Sequence, residues 1–206
     1  MVTVIDISTL YKERRGKALD MIAKYNSIKH PNLIKIFNWW YIPDQFIFVE
    51  TEAPSMFYYS NDHWQKRDQT TNWKSFCKQK FEIYDFQSAL ADVANGIQAL
   101  HDEGIIHRDV HPSRIHEYPV FVKHNYYEVV KFNMVGMPFN FKKLLKRDNF
   151  SGHVNYSAPE LILDKMSFNT KVDIWGLGCC IYFMLAKKDP FDGRTPQETK
   201  NNILNQ

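Results

Sequence analysis

The segment Ile106-His107-Arg108-Asp109-Val110-His111-Pro112-Ser113-Arg114-Ile115 gathers one carboxylate, two imidazoles and two guanidinium groups in a short stretch of chain. A carboxylate such as Asp109 is a general base wherever a positioned group must lose a proton. His111 is mostly neutral at pH 7 unless its surroundings shift it. Arg114 is a permanent cation, and it repels any divalent ion placed beside it. Signals for phosphate cradling are sparse. None of the eight glycines forms G-x-G-x-x-G, and the only G-x-G, Gly176 and Gly178, lies in an apolar segment. The three cysteines, Cys77, Cys179 and Cys180, are odd in number and two are adjacent. They read as reduced packing residues, not as a disulfide frame.

The elements that must carry these groups can be read from periodicity. Val2, Val4 and Ile5 form a short strand signal. Ala18, Ile22, Tyr25 and Ile28 recur at helical spacing within residues 10–28, and His30-Pro31-Asn32 ends that pattern. Residues 33–41 and 45–50 read as strands joined by a turn at Ile42-Pro43-Asp44. Pro54 then breaks the pattern, and residues 55–71 read as a loop or insertion. Phe86, Leu90, Val93, Ile97 and Leu100 mark one face of a long helix that stops at Gly104. Short strands are expected near Val120–Val122 and Val129–Phe132. Residues 171–186 are apolar nearly all round, which predicts a buried central helix.

Composition bounds the function classes. The chain has 206 residues, 26 Lys+Arg against 23 Asp+Glu, and 44% hydrophobic residues. That length suffices for one domain or two small lobes with a sizeable core. The even charge balance gives no call for nucleic acid. The longest apolar run, Ile174 to Ala186, is well short of the roughly 18 residues a membrane span needs, so no membrane insertion is expected. The first residues, MVTVIDISTLYKERR, lack the order of a signal peptide, and an intracellular, cytoplasmic location is expected.

Five segments, in order, resemble the eukaryotic protein kinase family. Residues 106–115 resemble its catalytic loop. Tyr156-Ser157-Ala158-Pro159-Glu160 resembles the end of its activation segment, and Lys171-Val172-Asp173-Ile174-Trp175-Gly176-Leu177-Gly178 the start of its buried central helix. His30-Pro31-Asn32 and Asp189-Pro190-Phe191 match two further turns. The resemblance implies an α+β two-lobe fold. The small lobe, residues 1–52, would be reduced to about three strands plus one helix. The large lobe, residues 53–206, would be mainly helical and truncated at its C-terminal end. In the family the histidine matched by His107 packs in the large lobe, the arginine matched by Arg108 anchors the activation segment, and the aspartate matched by Asp173 ties the central helix to the catalytic loop. Glu160 matches a carboxylate that pairs with a later arginine.

Several positions depart from the family. Ile5 stands where a phosphate-pairing lysine belongs, and an isoleucine has no donor. Met21 replaces that lysine's glutamate partner. Met134, in Met134-Val135-Gly136, replaces a metal-binding aspartate, and a thioether is a poor ligand for Mg²⁺. His111 replaces the loop lysine and Arg114 the second metal ligand. The expectation is therefore a catalytically inactive pseudokinase module, with Asp109 vestigial and no cofactor. Its partners would be other protein subunits, at the N-terminal sheet edge and the C-terminal face. The alternative is a Ser/Thr protein kinase that uses ATP, Mg²⁺ and Asp109 as base. Lys142, Lys143, Lys146 and Arg147 read as a solvated loop face. Ser151 is a candidate phosphorylation site, whereas Tyr156 reads as a packing residue. Tyr58, Tyr59, Trp64 and Trp73 read either as interface anchors or as a local core.

Overall fold

Alternation of apolar side chains builds the first sheet. Strands β1 (Val2–Asp6), β2 (Ile36–Ile42) and β3 (Phe46–Thr51) pair antiparallel in the order β1-β3-β2. In this computed structural model the described residues are 1–8, 12–53, 57–60, 63–66, 83–122, 125–133, 153–163 and 168–205. Ile5 pairs with Ile47 and Thr3 with Val49, which sets Ile5, Ile47, Val49 and Thr51 on one buried face. Helix α1 (Lys12–Ser27) adds Ala18, Ile22 and Tyr25 to the same core. On the opposite face Trp40 stacks on Phe48, with ring centroids 5.4 Å apart. The turn after β2 places Asp44 at φ 61°, a left-handed conformation that aspartate tolerates better than most residues. Arg15 of α1 pairs with Asp44 and holds the turn.

Strand β2 starts later than the sequence predicts. Leu33 and Ile34 are recruited elsewhere: Leu33 bridges Phe132, and the Ile34 N–H donates to the Phe132 carbonyl at 3.1 Å. Residues 55–71, expected as a loop or insertion without a clear period, are refined: β4 (Phe57–Ser60) and β5 (His63–Lys66) form a hairpin with Tyr59 opposite Trp64. Aromatic residues favour extended backbone, and Asn61-Asp62 between the strands is turn chemistry.

Helix α2 (Ile83–Asp102) buries Phe86, Val93, Ile97 and Leu100 and ends in Gly104 at φ 68°. It passes close to the 30–33 turn: a Cβ on Gly96 would lie 2.8 Å from the Asn32 carbonyl oxygen. Strands β6 (Ile115–Val122) and β7 (Asn125–Phe132) form a hairpin longer than the two short strands the sequence suggests. Among the described residues that follow are helices α3 (Pro159–Ile162), α4 (Lys171–Ala186) and α5 (Pro196–Leu204). Thr195 caps α5 by accepting the Glu198 N–H at 3.1 Å.

Helix α4 corrects a further expectation. Val172, Asp173, Leu177, Cys179, Cys180 and Met184 are buried, but Ile174, Tyr182 and Leu185 are exposed. An apolar sequence permits burial all round but does not supply neighbours on every side. Three strands and one helix make the small lobe and helices dominate the large one, the α+β arrangement the sequence implies. The two parts are joined by backbone at Asn32, whose carbonyl accepts the Phe132 N–H at 2.8 Å, and by Lys131, which pairs with Glu52 at 2.7 Å. Among the described residues no helix is long and apolar enough to cross a membrane.

Candidate active site

The catalytic-loop segment runs from the end of α2 to the start of β6, and α4 holds it from below. Asp173, fully buried in the first turn of α4, accepts the His107 N–H at 2.7 Å and the Arg108 N–H at 2.6 Å. Its Oδ2 also lies 2.7 Å from His101 Nε2. These contacts fix an unusual backbone. Arg108 sits at φ 67°, a region that costs a non-glycine residue on the order of 1–3 kcal/mol. Two donors on one buried carboxylate hold it there. The Arg108 guanidinium lies over the Phe168 ring, 5.4 Å from its centroid. Burial pulls that guanidinium below its usual pKa, and the neighbouring Asp173 charge opposes the shift.

His107 packs its ring against Phe132, with centroids 4.3 Å apart. Burial first, and the Arg114 charge second, hold its pKa well below the usual value, so the imidazole is neutral. The Asp109 N–H donates to His107 Nδ1 at 3.2 Å. That bond assigns the ring proton to Nε2, which faces the Asn133 carbonyl at 3.5 Å. The loop backbone is thus tied at both ends of the His-Arg-Asp triplet.

Asp109 faces a cationic and imidazole surround. Its Oδ2 accepts from Arg114 Nη2 at 3.0 Å and stands 3.6 Å from His111 Nε2. A short 3-10 turn, Pro112–Arg114, aims Arg114 back at Asp109, and the Arg114 N–H donates to the His111 carbonyl at 2.9 Å. His153 stacks on His111 with ring centroids 3.5 Å apart. The loop also touches α4 closely, because a Cβ on Gly176 would meet Val110 Cβ at 2.9 Å.

The structure therefore brings together His107, Arg108, Asp109, His111, Arg114 and Asp173. Ile5 and Met21 lie instead in the small-lobe core, Ile5 opposite Ile47 and Met21 packed at the core's edge. Glu160 is half-buried in the first turn of α3. Tyr156 is buried and its hydroxyl donates to Asp189, with burial and that bond raising its pKa. Cys179 is likewise buried, and desolvation pushes its thiol up to about 12, which removes it as a nucleophile. Met134, Cys77, Trp73, Ser151, Lys142, Lys143, Lys146 and Arg147 lie outside the described residues, as do the side chains of Tyr58, Tyr59 and Trp64. Sequence reasoning missed His153, whose neighbours Gly152 and Val154 form no motif; only folding carries it to His111.

Among the described residues the groups around Asp109 are nitrogen donors and a guanidinium. Mg²⁺ requires hard oxygen ligands in near-octahedral geometry, so this set does not fit it. Arg114 instead offers a fixed positive charge at the carboxylate.

A model of the protein kinase domain matches residues 4–206. The chain belongs to the protein kinase family. This kinase domain is 27% identical over 191 residues to the serine/threonine-protein kinase polo of Drosophila melanogaster, covering 92% of the chain and 30% of that protein. It is 25% identical over 179 residues to an Aurora kinase of Eremothecium gossypii, covering 87% of the chain and 43% of the relative. It is 34% identical over 104 residues to sperm motility kinase 2B of Mus musculus, covering 50% of the chain and 20% of the relative. The kinase domain thus spans less than half the length of each of these relatives.

These matches overturn the expectation that the chain is not an enzyme. A kinase-domain model over nearly the whole chain, with relatives named as serine/threonine kinases, points to a protein kinase. The departures at Ile5, Met21, His111, Arg114 and Met134 do not by themselves establish an inactive chain, because the match runs over nearly the whole domain.

Proposed function

We propose that this kinase domain transfers the γ-phosphoryl group of ATP to a serine or threonine hydroxyl of a protein, with Asp109 as the base. Asp109 takes the proton of the acceptor hydroxyl while the hydroxyl oxygen bonds to the γ-phosphorus. The bond from phosphorus to the β–γ bridging oxygen breaks, and ADP leaves with the electron pair. Such a reaction is mostly placement and electrostatic stabilisation. Arg114, whose side chain is 20% exposed beside Asp109, would meet the charge of phosphate oxygens with planar N–H donors. No step here is assigned to a divalent ion.

The observation that carries this reading is the buried Asp173 carboxylate holding His107 and Arg108 by their N–H groups, which presents Asp109 on a rigid backbone. An ATP-dependent reaction of this kind belongs inside the cell. The test is incubation of the purified chain with γ-labelled ATP and a mixed Ser/Thr/Tyr peptide library, followed by phosphoamino-acid analysis. Label on phosphoserine or phosphothreonine supports the proposal; label confined to phosphotyrosine, or free phosphate only, contradicts it.

A further inference from the structure

Two parts of the large lobe converge beside Asp109 in a way the proposed reaction does not use. The catalytic loop supplies Asp109 and His111, and the residue before the 3-10 turn Val154–Tyr156 supplies His153. One ligand-type atom from each lies within 4.8 Å of the others. Asp109 Oδ2 and His111 Nε2 are 3.6 Å apart, and these two side chains are only 9% and 3% exposed. His153 is exposed and leans edge-on toward Tyr156, with ring centroids 6.4 Å apart.

We infer that Asp109, His111 and His153 form a binding site for Zn²⁺, which when filled removes Asp109 from service as a base. Two imidazole nitrogens and one carboxylate oxygen are a donor set that zinc takes at about 2.0–2.2 Å, with a fourth position left for water. In a tetrahedron of such bonds the ligand atoms stand roughly 3.3 Å apart. The Asp109–His111 pair is already near that spacing. The exposed His153 closes the remainder by turning about its side-chain torsions, which move among staggered wells. The same nitrogen-rich set rejects Mg²⁺. Arg114 opposes the metal, since its Nη2 bonds Asp109 Oδ2 at 3.0 Å and two cations compete for one carboxylate. The site itself stands on geometry; its inhibitory consequence rests on the reading of Asp109 as base.

The test uses chelator-treated chain titrated calorimetrically with Zn²⁺, with Mg²⁺ as control, and Co²⁺ as a spectroscopic probe. One Zn²⁺ per chain, visible Co²⁺ absorption of four-coordinate intensity and no Mg²⁺ binding at the same concentration are expected. His153→Ala, at an exposed position, should fold as the parent by circular dichroism and weaken Zn²⁺ by at least about tenfold. Arg114→Gln should tighten it. Absence of one-to-one binding, or affinity unchanged in His153→Ala, overturns the site. Phosphotransfer measured in parallel separates the two readings. Zinc binding by a chain without transferase activity contradicts the inhibitory consequence alone. An active chain inhibited by Zn²⁺ at the calorimetric affinity, and less so in His153→Ala, supports both.

Discussion

Asp173 has the most consequential side chain outside the reacting group. Its carboxylate satisfies two loop N–H groups and meets His101, all away from water. Asp173→Ala orphans donors rather than a lone opposite charge, so a loss of about 1–3 kcal/mol is expected in urea unfolding. An unchanged midpoint would mean the loop is held by something else. The two depressed histidines give a pH dependence with a definite sign. Desolvation lowers His107 well below 6.5 and His116 to about 4. Both are neutral when folded and protonate readily when unfolded. Their stability contribution is therefore whole above pH 6.5 and lost progressively as pH falls from there, for His116 toward about 4. Urea midpoints should drop from pH 7 to pH 5, and His116→Gln should flatten that slope; equal slopes would count against the assignment. Asp109, His107 and Asp173 are legible in the sequence because their spacing is local or motif-borne. His153 is not, since its place beside His111 depends on a fold that closes 41 intervening positions of chain.

At the scale of elements, close approach between α4 and the catalytic loop does the positioning. Gly176 leaves room for Val110, and an added Cβ would lie 2.9 Å from both Val110 Cβ and its carbonyl oxygen. Gly176→Ala must push backbone apart, so it should destabilise by about 1–3 kcal/mol despite alanine's better helix propensity. Gly178→Ala, where nothing lies within 4 Å, is the matched control and should be neutral or stabilising. Equal effects at both positions would show that the contact carries no weight. The helices were readable from sequence wherever one apolar stripe faced one core, as along α2. Hydropathy predicts α4 buried all round because it reports what a segment tolerates, not which neighbours it has. The 57–66 hairpin is not legible because its aromatic residues, Phe57, Tyr58, Tyr59 and Trp64, follow no two-residue period.

For the whole molecule, polar groups at the Asn32 turn and at Glu52 link the small lobe to the helical part. The Asn32 side chain donates to the Val130 carbonyl at 3.1 Å, deep between them, and Lys131 binds both oxygens of Glu52 at 2.7 and 2.9 Å. Asn32→Ala should cost about 1–3 kcal/mol by leaving the buried Val130 carbonyl without that donor. A midpoint equal to the parent's would exclude the role. The family fold is legible because five motifs fall in order; the expectation of a chain that is not an enzyme rests on the substituted positions, and the kinase-domain match over residues 4–206 overturns it. The most direct test of the central claim compares phosphotransfer from γ-labelled ATP by the parent chain and by Asp109→Asn. Asparagine keeps the shape and loses the base, so the account predicts a fall of roughly 10²–10⁴-fold in turnover with an unchanged melting transition. Equal turnover in the two proteins, or none in the parent, would contradict it.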